Sequence, residues 1–207
     1  MHKVFISYHH SNDQYYKDFL IAMNQINPIF IDGSVDSGDI NDDLTDQEIR
    51  RIIRDEYLKD TTVTVLLVGK ETKYRKHIDW EIYSSMFDGR LNKKSGLLVI
   101  NLPSTNSSYF WAPHGEEEKT AIHPSTTSWT TLKTRKELDD RFPYVPKRIL
   151  DSIHNKGAKI SIVNWDTISN NWGALETLID LTFKDKSECE YDFSEPMKRN
   201  NFNPVIA

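Results

Sequence analysis

The 207-residue sequence predicts an α/β domain built on a parallel sheet of five strands. Short apolar runs alternate along the chain with segments whose apolar residues recur at helical spacing. This alternation is typical of parallel sheets, because a crossover must follow each strand before the next can run in the same direction. Several runs are apolar without interruption, as expected where helices cover both faces of a sheet.

Each expected strand is a short run of apolar residues: residues 4–6, 28–32, 62–68, 97–102 and 159–163. The third run is the strongest, because it is continuous and rich in β-branched residues and ends at Gly69. These properties predict that it lies in the centre of the sheet.

The expected helices lie between the strands and after the last one: residues 13–24, 45–57, 77–88, 146–156 and 171–184. Asn12 or Asp13 is expected to cap the first helix. Thr45 and Glu48 have the spacing of a capping box, which predicts the start of the second.

Residues 104–145 interrupt this rhythm with many Ser, Thr and Pro residues. We expect a long insertion between strands four and five with little regular structure, apart from a short helix near residues 133–141. A loop of this length inside a domain is usually functional or disordered, and its aromatic residues argue against disorder. Trp111 and Trp129 are expected to pack on the core or on a neighbouring subunit.

The composition limits the cellular setting and the partners. Cys189 is the only cysteine, so an internal disulfide is excluded and a structural zinc site is not expected. The net charge of −5 argues against nucleic acid as a partner. No stretch approaches the roughly 20 apolar residues of a membrane-spanning helix. We expect a cytoplasmic protein in which residues 1–186 form one domain and residues 187–207 a loosely packed C-terminal tail.

Right-handed crossovers make this pattern a doubly wound, flavodoxin-like fold with helices on both faces of the sheet. Ligands bind such folds at the carboxyl ends of the strands. Those ends are expected at residues 7–10, 33–39 and 69–77 and at Asn101. The candidate site therefore combines polar residues that are far apart in sequence.

Three segments in order resemble TIR domains: residues 4–8 (VFISY), residues 62–69 (TVTVLLVG) with Thr72 after them, and residues 78–82 (IDWEI). Their spacing is similar to that of bacterial TIR-like proteins, in particular the NAD-processing TIR component of the Thoeris antiphage system. The resemblance covers residues 1–103 well and residues 158–184 only as a strand and a helix. It does not cover the insertion.

The resemblance implies an enzyme that cleaves the bond between nicotinamide and ribose in NAD and closes the ADP-ribose into a cyclic isomer. That product would diffuse to a separate effector protein that acts against phage. NAD would be a substrate, and no cofactor is expected, since the chain lacks the Gly-x-Gly-x-x-Gly motif that holds NAD for redox chemistry. The resemblance also implies self-association through TIR–TIR contacts and the possibility of a phage protein as trigger.

Glu81 is the expected catalytic residue. The nicotinamide ring of NAD is positively charged and leaves as a neutral molecule. Positive charge therefore develops on the ribose, and one carboxylate suffices to stabilise it. Substrate-binding roles are expected at the strand ends, in the loop over residues 33–43 and beside Glu81: Phe5, Ser7, Tyr8, His9, His10, Asp36 and Trp80. No metal site is expected, because His9 and His10 have no further ligand at a recognisable spacing.

Other functions remain open at this point. A TIR-like adaptor that binds only protein partners has the same sequence features. A nucleoside deoxyribosyltransferase is another alternative, because it also cleaves a glycosidic bond with one glutamate. The Trp80–Glu81 pair favours the TIR hypothesis. A receiver domain is excluded, because it needs clustered aspartates at the ends of strands one and three, where this chain has residues 7–10 and 68–69.

Overall fold

A computed structural model describes residues 1–34, 43–90 and 92–202. It contains one sheet of five parallel strands in the order β2-β1-β3-β4-β5. The strands are β1 His2–Ser7, β2 Phe30–Asp32, β3 Val63–Val68, β4 Gly96–Asn101 and β5 Ser161–Asn164. This order is that of the flavodoxin-like fold, and the predicted fold class is confirmed.

Helices follow the strands and fill the insertion: α1 His10–Ile26, α2 Asp46–Ile52, α3 Lys76–Met86, α4 Glu116–Ile122, α5 Arg135–Arg141, α6 Lys147–Lys156, α7 Trp165–Ser169 and α8 Trp172–Asp185. A π-helical turn, Ile53–Tyr57, extends α2, and 3-10 turns form at Thr72–Tyr74 and Pro103–Thr105. No helix in the described part of the chain has both the length and the apolar character needed to cross a membrane.

Helices cover both faces of the sheet, as the packing of alternate side chains of β3 shows. Val65 and Leu67 belong to a core cluster that includes residues of α1 and α8. Leu66 and Val68 point to the other face and pack with residues of α3 and α6. All residues of β3 are buried, so its continuous apolar sequence reflects burial on two sides, as predicted.

The start of α1 differs from the expectation. The helix begins at His10, and the carbonyl of His9 accepts hydrogen bonds from the N–H groups of Asn12 (3.1 Å) and Asp13 (2.8 Å). Neither of these two residues caps the helix. Asp13 is instead buried at 3 % exposure. Only Tyr8 and His9 separate β1 from α1, so the position of the helix in the fold outweighs the capping preference of its sequence.

The insertion holds more regular structure than expected. The predicted helix near residues 133–141 is present as α5, but α4 was missed because its sequence is largely charged. Three glutamates occupy the first turn of α4, where negative charge stabilises a helix. Glu118 is buried in that turn and accepts a 2.5 Å hydrogen bond from Ser161 on β5. This contact ties the insertion to the sheet.

The tail does not pack loosely, which corrects the expectation for its described part. Four of its side chains are buried: Cys189, Tyr191, Asp192 and Met197. The Tyr191 hydroxyl donates to the carbonyl of Ser95 at 3.0 Å. Arg148 on α6 donates to the carbonyls of Glu195 and Pro196, both at 2.9 Å. The polar composition of the segment concealed these anchors, which depend on partners far away in sequence.

Both outer strands of the sheet, β2 and β5, also make hydrogen bonds on the edge that faces away from the other strands. At β2, the side-chain amide of Asn24 accepts from the N–H of Phe30 (3.1 Å) and donates to its carbonyl (2.9 Å). At β5, Ile162 exchanges two main-chain bonds with Trp111 of the insertion, at 2.8 Å and 3.0 Å, in an antiparallel bridge.

Candidate active site

Ser7 and Glu81 meet at the carboxyl ends of the central strands. Ser7 ends β1, which is paired with β3, and α3 follows β3 after one short turn. Ile78 and Ile82 pack α3 on the sheet, while Glu81 between them reaches β1. The Ser7 hydroxyl donates a hydrogen bond of 2.6 Å to the Glu81 carboxyl group. Two expected site residues that are distant in sequence thus form one buried pair.

Burial controls the charge of Glu81. The side chain is 7 % exposed, and removal from water raises its pKa to about 7, while the hydrogen bond from Ser7 acts in the opposite direction. Both protonation states are therefore populated near neutral pH. Such a carboxyl group responds strongly to a positive charge placed beside it, because the charged partner stabilises the ionised form.

Asp13, expected only as a helix cap, is a second buried carboxyl group at this edge. Burial and the nearby charge of Glu71 raise its pKa to about 6. It lies against the end of β3, since a Cβ atom added at Gly69 would be 2.7 Å from its Oδ2 atom. That oxygen has no hydrogen-bond partner among the described residues. A glycine directly after the strongest strand was the available signal for such a close approach.

The histidines after β1 differ in environment. His9 is partly buried, and its pKa is lowered by burial and by the charge of Arg75, with Glu71 acting in the opposite sense. A neutral ring favours binding of phosphate by hydrogen bonding over binding by charge. His10 is exposed and stacks on Tyr8 with 4.5 Å between ring centroids. The Tyr8 hydroxyl donates to Gln14 at 2.7 Å.

Phe5 and Trp80 lie inside the protein, at 4 % and 1 % exposure. They pack in one apolar cluster with Ile49, Ile53 and Met197. The Trp80 indole N–H donates to the carbonyl of Lys198 at 2.7 Å. Residues of α2 and of the C-terminal tail pack around these rings, and their expected contact with the substrate stays a prediction.

Asp36, the remaining expected site residue, lies outside the described residues, as does the loop over residues 35–42. Its assignment to the substrate site stays a prediction. The parallel sheet brings Ser7 and Glu81 into contact, and Tyr8, His9 and His10 follow Ser7 directly in the chain.

A comparison with protein families shows the family to which the chain belongs. Residues 5–107, about half of the chain, match the family model described as Thoeris protein ThsB, TIR-like domain. This chain is a TIR-like protein of the Thoeris type. No curated protein and no solved structure matches it. The match to the TIR-like family includes Ser7, Asp13 and Glu81 and ends before most of the insertion.

Proposed function

We propose that this TIR-like protein is an NAD glycohydrolase and ADP-ribosyl cyclase with Glu81 as its catalytic residue. The observation that carries the proposal is the buried 2.6 Å hydrogen bond between Ser7 and Glu81 at the carboxyl ends of β1 and β3. Ligands bind doubly wound folds at this edge. Membership of the Thoeris TIR-like family supports the same assignment.

The reaction begins with cleavage of the bond between the ribose C1′ atom and the nicotinamide nitrogen. The bonding electrons leave with the nicotinamide, which becomes neutral, and positive charge develops on the ribose. The Glu81 carboxylate, held in a poorly solvated position, would stabilise that charge more strongly than the same group in water. Attack by water then gives ADP-ribose, whereas attack by another atom of the same molecule gives a cyclic isomer; the attacking group loses a proton.

The raised pKa of Glu81 fits a cationic substrate. In the free protein, part of the population is protonated at neutral pH, since the pKa is about 7. The positive charge of the nicotinamide ring would favour ionisation when NAD binds. Substrate binding and formation of the active carboxylate would therefore be coupled. Tyr8, His9 and His10 at the end of β1 are proposed to contact the dinucleotide, with Ser7 holding Glu81 in place.

In the proposed pathway the cyclic product is a signal that diffuses to a separate effector protein. Two further proposals rest on membership of the family alone. Copies of the TIR-like domain would contact one another, and a phage protein would act as the trigger.

The test is incubation of the purified chain with NAD, followed by separation of nucleotides by chromatography and mass spectrometry. Glu81→Gln keeps the size of the side chain and removes its charge, so we expect turnover to fall by about 100-fold or more. Glu176→Gln, on the exposed face of α8, is the matched control and should leave turnover unchanged. Equal turnover by wild type and Glu81→Gln would overturn the mechanism.

The assay also decides between the enzyme and the adaptor. Wild-type protein that leaves NAD intact, both alone and with lysate of phage-infected cells, would support a protein-interaction adaptor.

A further inference from the structure

The insertion forms a cavity of about 290 Å³ that is lined by residues between Ser108 and Arg141. Its walls come from the extended segment around Trp111, from α4, from the segment around Trp129 and from the end of α5. The volume lies just below the usual range for small-molecule sites, roughly 300–1,000 Å³. The cavity is thus suited only to a small ligand.

This cavity is separate from the pair of Ser7 and Glu81. Trp111, one of its lining residues, is bridged to Ile162 at the outer edge of β5. β1 and β5 are separated by β3 and β4, and three strand spacings amount to about 14 Å. The match to the TIR-like family ends at residue 107, immediately before the lining begins. The proposal below therefore does not depend on the proposed NAD chemistry.

Aromatic rings dominate the walls: Tyr109, Phe110, Trp111 and Trp129. Phe110 and Trp129 meet edge to face with 5.8 Å between centroids, and His123 stacks on Phe110 at 3.8 Å. Tyr109 and Trp129 nevertheless remain 48 % and 41 % exposed. Large rings that are fixed by their neighbours and still accessible provide faces on which a planar ligand can stack.

Two cations accompany these rings. The Lys119 ammonium lies 5.1 Å from the Trp129 ring, and the Arg141 guanidinium lies 5.1 Å from the Tyr109 ring. Within the described part of the chain, no acidic side chain lines the cavity. Lys119 also pairs with Glu116 at 2.6 Å, but Glu116 is exposed and such surface pairs contribute little. An anion can therefore compete for both cations, although the chain carries a net charge of −5.

The walls also carry neutral hydrogen-bonding groups. Hydroxyl groups of Ser108, Ser128, Thr130 and Thr131 line the same space and can bind a ribose or the edge of a base.

We propose that this cavity binds a nucleoside monophosphate as a second, non-catalytic nucleotide site. The base would stack on the rings of Tyr109 and Trp129, and the phosphate would lie between Lys119 and Arg141. Hydroxyl groups of the wall would bind the ribose or the edge of the base. Stacking faces, two cations and several hydroxyl groups in one small cavity together match this class of ligand.

Calorimetric titration of the full chain with AMP tests the site. We expect saturable binding that is weakened about tenfold by Lys119→Met and by Arg141→Met, since each removes a charge-assisted contact to phosphate. Lys136→Met is the matched control: Lys136 shares α5 with Arg141, is exposed and does not line the cavity. Adenosine should bind more weakly than AMP, because it lacks the phosphate. Circular dichroism establishes that each variant is folded.

The location is tested independently, because AMP also resembles part of NAD. Irradiation with 8-azido-AMP and peptide mapping should place the label within residues 108–132, and Arg141→Met should reduce that label without affecting any label near residues 7–10. Absence of AMP binding, label confined to residues outside 108–141, or equal AMP affinity of Arg141→Met and Lys136→Met would overturn the proposal.

Discussion

The hydroxyl of Ser7 on β1 donates a 2.6 Å hydrogen bond to the carboxyl group of Glu81 on α3. It is the contribution that lowers the pKa of Glu81, against the larger effect of burial that raises it to about 7. Ser7 is thus in a position to set the fraction of Glu81 that is ionised at neutral pH.

Ser7→Ala should therefore shift the pH dependence of the proposed NAD cleavage. Loss of the hydrogen bond raises the pKa of Glu81 further, so the acidic limb of the kcat/KM profile moves to higher pH. Activity at pH 7 should fall by about three- to tenfold and recover at higher pH. Ser84→Ala is the control, since Ser84 is buried on the same helix and its hydroxyl has no hydrogen-bond partner among the described residues. An unshifted profile for Ser7→Ala would contradict this role.

Glu81 should also make the protein less stable as the pH rises. The pKa is raised from 4.5 to about 7 in the folded state, so between these values the folded state binds more protons than the unfolded state. Stability contributed by the protonated group is present below pH 4.5 and is lost as the pH rises through about 7.

Glu81→Gln cannot titrate, so its free energy of unfolding relative to wild type should increase with pH. We expect the gain to reach about 1–3 kcal/mol at pH 8 and to vanish near pH 4.5. Urea unfolding at a series of pH values measures it, with Glu176→Gln, at an exposed position on α8, as the control. A difference for Glu81→Gln that is flat or falls with pH would refute the raised pKa.

The buried ion pair of Arg148 and Asp79 should hold the tail on the domain. Arg148 donates to both Asp79 oxygens at 3.2 Å and to two tail carbonyls, and the N–H of Lys198 donates to Asp79 at 2.9 Å. Arg148→Met leaves a buried carboxylate unpaired, which typically costs about 3–5 kcal/mol. We expect this loss in urea unfolding, together with faster proteinase K cleavage between residues 193 and 202.

Lys147→Met is the matched control on the same helix. Lys147 pairs with Glu195 of the same tail, but both side chains are more than half exposed (63 % and 53 %). Its loss should cost less than about 1 kcal/mol. Equal effects of the two substitutions would show that the buried pair does not anchor the tail.

Gly96 should be intolerant of any side chain. It begins β4, and an added Cβ atom would lie 2.6 Å from both the carbonyl oxygen and the Cγ2 atom of Thr182 on α8. Because one of these atoms is main chain, Gly96→Ala must move α8 away from the sheet, at a cost of about 1–3 kcal/mol. Gly173→Ala on α8 is the control. An added Cβ atom there would lie 3.5 Å from its nearest neighbour, the Asn171 side-chain oxygen, so the midpoint temperature of unfolding should be unchanged or slightly higher.

Features with a local cause were predictable from the sequence. The apolar run of β3 identified a strand covered on both faces, and the Thr45–Glu48 capping box is present with both of its hydrogen bonds. Repetition of strands and helices then determined the parallel topology and placed Ser7 and Glu81 at one edge. The candidate pair followed from topology combined with the family resemblance.

Features that depend on distant partners were not predictable. Asp13 has the sequence of a helix cap, yet its carboxyl group packs on Gly69 at the end of another strand. The indole N–H of Trp80 donates to the carbonyl of Lys198, and the polar composition of the tail gives no sign of this contact. In each case the deciding contact joins residues more than 50 positions apart, and no local pattern encodes it.

The hydrogen bonds at the two outer strands restrict how copies of this protein can join. An uncovered strand edge is a template on which another chain can add a strand, and it leads readily to aggregation. Here the Asn24 amide occupies the peptide groups of Phe30, and the main chain of Trp111 occupies those of Ile162. Continuous pairing of sheets from neighbouring copies is thereby disfavoured at both ends. If copies assemble, helix faces and loops are the surfaces that remain for it.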